Sequence, residues 1–161
     1  MHRIFNIPGN TDGTTEMIAN LGNNGTKITV KRTKIANLDM IPCGQIPPNP
    51  SELLSSERTK LLLHALSKKY DRILIDSPPV NVVTDPVILS QIVDGVILVV
   101  RSGETGREIA RRARDQLLDV KARLLGGVLN SVDMQKDHYY YYSCYHNYYY
   151  QEKEASNAYL G

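Results

Sequence analysis

The run ILIDSPP closes an apolar stretch on a carboxylate, Asp76, followed by Ser77, Pro78 and Pro79. An aspartate at the end of a buried strand is suited to holding a magnesium ion, directly or through water, because a hard cation takes oxygen ligands and keeps part of its water shell. That is the acidic role in phosphoryl transfer. Taken alone, the same residue also serves as a cap for the turn before two prolines. Two more apolar runs end on polar residues: GVILVV leads into Arg101 and Ser102, and LLGGVLN ends on Asn130. A different chemistry lies near the end of the sequence, where HYYYYSCYHNYYY at 138–150 places eight phenol hydroxyls in thirteen residues of a chain with ten tyrosines in all.

The elements that must position these groups follow from the spacing of apolar residues. RILID (72–76), GVILVV (95–100) and LLGGVLN (124–130) are short, continuous and rich in Val, Ile and Leu, which suits strands buried on both faces of a parallel sheet. The stretches between them, 85–93 and 106–121, have the length and pattern of crossover helices. Thr105 with Glu108 three residues on predicts a capping box at the start of the second, and Glu108 with Arg112 an i,i+4 ion pair on its surface. Arg107, Arg111, Arg112 and Arg114 on that helix read either as a solvated face or as a basic surface for an acidic partner. Earlier, residues 14–21 predict one short helix, 27–31 and 37–41 two short strands, and 51–69 one or two helices on the period of Leu53, Leu54, Leu61, Leu62, Ala65 and Leu66. The whole predicts an open, doubly wound, mostly parallel α/β sheet with right-handed crossovers. In such sheets ligands bind beyond the carboxyl ends of the strands. Asp76, Pro78, Arg101 and Asn130 all fall there. Beyond Val132 the apolar periodicity stops, which divides the chain into a domain at 1–133 and a tyrosine-rich tail at 134–161.

Composition narrows the function classes. With Lys plus Arg at 19 and Asp plus Glu at 17, a formal charge of +2 gives no general case for nucleic-acid or membrane binding. Cys43 and Cys144 fit no metal-ligand spacing and read as reduced thiols of a cytosolic protein. No apolar run approaches the roughly 20 residues of a membrane span. His138 and His146 read as solvated loop histidines.

Taken together, IPPNPSELLSSERTKLLLHALSKKYDRILIDSPPVNVVTDPVILSQIVDGVILVVRSGETG, the later GGVLN and the tyrosine cluster closely resemble the bacterial tyrosine autokinases of capsule and exopolysaccharide synthesis. The resemblance runs from about Met1 to the tail. It implies a P-loop NTPase-like fold related to the partition ATPases, with Asp76 as the Walker B acid on magnesium and Asn130 at the adenine of ATP. Arg101 and Pro78 are read with them as cofactor-binding. It also implies that Tyr139, Tyr140, Tyr141, Tyr142, Tyr145, Tyr148, Tyr149 and Tyr150 accept phosphate, with Tyr159 a weaker acceptor, one subunit acting on the tail of the next in a ring. The implied setting is the cytoplasmic face of the membrane, reached through a membrane activator or another segment.

Two of that family's motifs have no counterpart in the 161 residues: the glycine-rich Walker A loop ending in Lys and Ser or Thr, and a second acidic motif of the form Asp-x-Asp-x-Arg. GNTDGTTEM at 9–17 and GNNGTK at 22–27 lack the spacing. A phosphate cradle aims several backbone N–H groups and a lysine at the β- and γ-phosphates. Without it, the chain is expected to bind ATP weakly or not at all by itself. The expected reading is the C-terminal portion of a kinase domain, incomplete on its N-terminal side, with RILID left as an unpaired edge. The alternative is a non-catalytic interaction module, substrate or decoy for a complete tyrosine kinase.

Overall fold

The computed structural model describes residues 4–5, 13–22 and 28–133. The helices form where the sequence supplies both an apolar stripe and an end signal. α1 (Thr14–Asn20) starts after Gly13, and its first free N–H donors are taken by a loop: Thr14 N–H bonds the Pro42 carbonyl at 2.9 Å and Thr15 N–H the Cys43 carbonyl at 3.0 Å. Gly13 is needed here, since a Cβ would lie 2.3 Å from the Gly44 nitrogen. The Glu16 carboxylate ties the corner together. It accepts from the N–H of Gly13 and from that of Gln45, each at 2.8 Å.

β1 (Lys31–Arg32) and β2 (Asp39–Met40) pair antiparallel, shorter than the sequence predicts. α2 (Pro50–Ser55) begins with proline in its first turn, and α3 (Glu57–Ser67) begins at Ser56, whose hydroxyl accepts from Thr59 N–H. Leu62 and Leu66, four apart on α3, meet Met17 and Ile18 of α1 in a buried cluster, with Leu53 and Tyr70 packed on its rim. The Tyr70 hydroxyl closes this unit by donating to Asp39 at 2.7 Å.

The second unit is a β–α–β crossover: β3 (Val96–Arg101), α5 (Arg107–Asp119) and β4 (Leu124–Asn130), with α4 (Asp85–Ser90) before it. β3 and β4 pair in parallel, in register from Ile97 with Gly126 to Arg101 with Asn130. α5 buries Ala113 and Leu117, again four apart. It ends in a Schellman turn, with Lys121 at φ 57°, Lys121 N–H on the Leu118 carbonyl at 2.8 Å and Ala122 N–H on the Leu117 carbonyl at 2.9 Å.

Several sequence expectations change. Residues 72–76 form no strand: among the described residues their backbone has no ladder partner, and Ile73, Leu74 and Ile75 are exposed, Leu74 at 85%. Strandness needs a neighbour as well as propensity, and none is at hand for this run. β3 and β4 are not buried on both faces either, for Ile97, Val99, Leu125, Val128 and Leu129 are all exposed. The capping box at Thr105 does not form, because the Thr105 hydroxyl accepts from Arg101 N–H at 3.2 Å and α5 starts from Gly106 instead. Glu108 pairs with Arg111 at 3.1 Å rather than with Arg112.

Candidate functional site

The carboxyl end of the β3–β4 pair brings together two of the residues singled out in the sequence. Arg101 and Asn130 are register partners on adjacent strands, which sit about 4.8 Å apart in any sheet. The ladder continues one step past them, with Ser102 N–H on the Asn130 carbonyl at 2.8 Å. Asn130 turns its own side-chain oxygen back to accept from Ser131 N–H at 2.8 Å, and Ser131 takes the left-handed region at φ 57°. This leaves the exposed side-chain NH₂ of Asn130 as a donor at the sheet end.

Arg101 is held on a turn. Its guanidinium pairs with Glu104 at 3.1 Å, and the Thr105 N–H and hydroxyl fold back onto the Arg101 carbonyl and N–H. Both side chains of the ion pair are 60% exposed, so it fixes geometry more than it stabilises.

Asp76 is exposed, and its carboxylate has no hydrogen-bond or ion-pair partner among the described residues. Pro78 lies exposed in the same extended stretch. The exit of this stretch is anchored all the same. Pro79 accepts from the N–H groups of Val82 and Val83, and the Asn81 side chain donates to the Ile109 carbonyl in the first turn of α5 at 3.0 Å. Asn81 follows Asp76 by five residues and Ile109 follows the end of β3 by eight. Asn81 is therefore fixed beside the start of α5, the helix that follows the carboxyl end of β3, and that end of the strands is the side that open α/β sheets use for ligands.

The sequence reading passed over the joint behind this stretch. The Ser51 hydroxyl lies 3.1 Å from the Thr84 hydroxyl and donates to Asp85 at 3.1 Å, tying the start of α4 to the start of α2. Thr84-Asp85-Pro86, a cap residue before an acidic first turn with proline, was the signal that could have found it.

A magnesium nucleotide fits these residues in part. A lone, solvated carboxylate such as Asp76 is one ligand of the kind magnesium takes, with waters completing the shell. Among the described residues, no group of three or more metal-ligating side chains is gathered. No phosphate cradle of the Walker A type exists in the sequence. Asp76, Arg101 and Asn130 would make up at most one wall of such a site. The eight tyrosines at 139–150 and Tyr159 lie outside the described residues.

No family model matches the chain. Its relatives are informative. The tyrosine-protein kinase YwqD of Bacillus subtilis is 37% identical over 127 residues, covering 79% of this chain and 53% of YwqD. The tyrosine-protein kinase CpsD of Streptococcus agalactiae is 31% identical over 133 residues, covering 83% of this chain and 56% of CpsD. Among solved structures, the kinase domain of VpsO superposes with a TM-score of 0.72 at 34% identity, over 83% of this chain and 64% of that one. The chain spans about half the length of the curated relatives it matches.

Proposed function

Because this chain belongs to the bacterial tyrosine kinases as part of a kinase domain, we propose that it is the portion of an ATP-dependent tyrosine autokinase carrying the metal-side aspartate and the phosphoacceptor tail. The observation that carries the reading is the superposition on a kinase domain over 83% of the chain at 34% identity. The sheet end bearing Arg101 and Asn130 supports it, since that is where a nucleotide would lie. ATP with a magnesium ion would supply the phosphoryl group to be transferred.

In this reading Asp76 holds the metal, the Asn130 amide meets the adenine ring, and Arg101 and Pro78 border the nucleotide. The hydroxyls of Tyr139, Tyr140, Tyr141, Tyr142, Tyr145, Tyr148, Tyr149 and Tyr150 accept phosphate from a neighbouring subunit. Each phosphate brings about −1.5 to −2 charge. Three outweigh the +2 of the whole chain, so a tail that docks while neutral is repelled from a carboxylate-lined site once modified. That change would loosen a ring of kinase subunits, working at the cytoplasmic face of the membrane with a membrane activator in capsule or exopolysaccharide synthesis. No helix of the described residues is long and apolar enough to cross a membrane.

The second reading, a non-catalytic substrate or decoy of a complete kinase, is favoured by the unpaired, solvent-exposed residues 72–76. One experiment separates the two: the intact mass of the purified chain after incubation with ATP and magnesium, alone and with full-length YwqD. Phosphate gained only in the mixture is the expected result. Gain in the chain alone would make it a self-sufficient enzyme. No gain in either arm would remove the acceptor tail from the reading.

A further inference from the structure

The whole-chain charge of +2 hides an uneven distribution. From Met17 to Leu38 the sequence holds Lys27, Lys31, Arg32 and Lys34 and no acidic residue, so the rest of the chain is net acidic, with 19 less 4 cations against 17 acids. Three of these cations fall on the β1–β2 hairpin. Arg32 and Lys34 are exposed and Lys31 is half-buried. Lys31 and Arg32 are neighbours on one strand and leave it on opposite faces, so with Lys34 the cations surround the tip rather than line one side. None of the three forms an ion pair among the described residues. Asp39, the register partner of Arg32, is engaged by the Tyr70 hydroxyl instead.

Between the two strands the tip is apolar and held in shape. Ile35 is 56% exposed and Leu38 37%. The Thr33 hydroxyl donates to the Leu38 carbonyl at 2.7 Å and accepts from Ile35 N–H at 3.1 Å. Leu38 N–H closes on the Ile35 carbonyl at 3.3 Å, and Asn37 takes the left-handed region at φ 59°. The turn thus satisfies much of its own backbone while Ile35 and Leu38 stay exposed. Single exposed apolar side chains are ordinary. Two on one ordered tip, surrounded by cations, suit a surface that is anionic outside and apolar a short way below.

We infer that the β1–β2 hairpin is a lipid-contact tip, with Lys31, Arg32 and Lys34 meeting the headgroups of an anionic bilayer while Ile35 and Leu38 enter its interface. An acidic peptide would account for the cations, but it gives no reason for exposed apolar side chains at the turn. The contact is weak by itself, because a few cations and two apolar side chains make only a reversible attachment. Its effect is to orient a chain that another anchor brings to the bilayer. Nothing in the hairpin depends on the kinase reading, and the contact is tested without nucleotide.

The test is flotation of the full chain with vesicles of phosphatidylcholine, with and without phosphatidylglycerol, at low and high salt. Binding to the anionic vesicles is expected, weakened about tenfold or more by high salt and absent from pure phosphatidylcholine. Lys31→Gln, Arg32→Gln and Lys34→Gln should each weaken it about fivefold, and the triple variant about a hundredfold. Ile35→Ser should weaken it about fivefold at either salt concentration. These side chains lie outside the buried cluster, and a thermal midpoint equal to the parent's shows that each variant is folded. Lys34→Glu, a single exchange in the exposed turn, should weaken binding more than Lys34→Gln, which keeps the test decisive should the triple variant unfold. No binding to anionic vesicles, equal binding to both kinds, or full binding by the triple variant overturns the tip. Full binding by Ile35→Ser overturns the entry of apolar side chains into the interface. Binding of soluble polyglutamate as tight as that of the vesicles, and lost in the triple variant, gives the cations to an acidic protein and overturns the lipid.

Discussion

The corner made by α1, α2 and α3 hides its apolar side chains, while the parallel pair β3–β4 shows them to water. Both are built from sequence of similar character. In the corner, Ile18 is 1% exposed and Leu62 2%, and the loop at 42–45 satisfies the first N–H groups of α1. In the sheet, Val99 is 61% exposed and Leu129 60%. The difference teaches that the corner closes on itself through local contacts, whereas the β3–β4 pair carries apolar side chains that no described residue covers. Each prediction below either breaks that contrast or sharpens it.

The largest effect belongs in the corner. Ile18→Ala and Leu62→Ala each remove a buried side chain from a closed cluster and should cost about 2–5 kcal/mol of unfolding free energy. Chemical denaturation of each variant against the parent chain measures it. A loss under about 1 kcal/mol would mean that the corner collapses around the gap and is no better packed than the sheet.

Glu16→Gln comes next. The carboxylate accepts two backbone N–H bonds, and these hold its pKa below the ordinary 4.5, the Gln45 N–H contributing most and the Gly13 N–H next. A neutral amide leaves one acceptor oxygen without charge, at an expected cost of about 1.5 kcal/mol near neutral pH. The sign of the pH dependence follows from the lowered value. The carboxylate's contribution is present above 4.5 and is lost as pH falls through its folded pKa. The gap between parent and variant should therefore close on acidification below that range, and a gap that stays constant to low pH would deny the charge its role.

How much of this was legible in the sequence divides along the same line. The helices could be read because an apolar stripe at three- and four-residue spacing is a property of the segment itself. Leu62 with Leu66 and Ala113 with Leu117 repeat at that spacing. The parallel pairing of β3 with β4 followed from continuous apolar runs joined by a helix. The same rule made a strand of residues 72–76, where none forms, because a strand is a property of two segments and the second is absent from the described residues. At the candidate site, Arg101 and Asn130 were legible as the ends of such runs, and the register joins them. Asp76 was legible for the same reason, yet its exposed carboxylate has no partner among the described residues. Glu16 was not legible at all, since its second partner Gln45 is 29 residues away and is joined by backbone geometry that no residue type announces. At Thr105 a local signal was read and lost, because the hydroxyl accepts from the Arg101 N–H of the preceding turn instead.

A smaller effect tests how the corner is closed. Tyr70→Phe deletes the hydroxyl that donates to Asp39 and should cost about 1 kcal/mol. The bond to Asp39 is also the main cause that raises the Tyr70 pKa above 10. A raised value means the contribution is intact below pH 10 and fades as pH rises through the folded pKa. Spectrophotometric titration of the phenol, compared between the parent and Asp39→Asn, should show Tyr70 ionising at lower pH once the carboxylate is gone. An unchanged titration would unfasten the hairpin β1–β2 from the helical cluster.

The smallest effect is the most discriminating. Val99→Thr swaps a methyl for a hydroxyl on a side chain of equal shape. In a closed core that substitution strands a polar group and costs 1 kcal/mol or more, about the penalty of an unpaired buried hydroxyl. On a face that is 61% exposed the hydroxyl stays hydrated, so unfolding free energy should move by no more than about 0.5 kcal/mol. Chemical denaturation of the variant beside the parent chain reads the difference. If the variant loses stability as a core substitution would, some part of the chain outside the described residues already covers the sheet. The contrast between a finished corner and an open sheet would then fall.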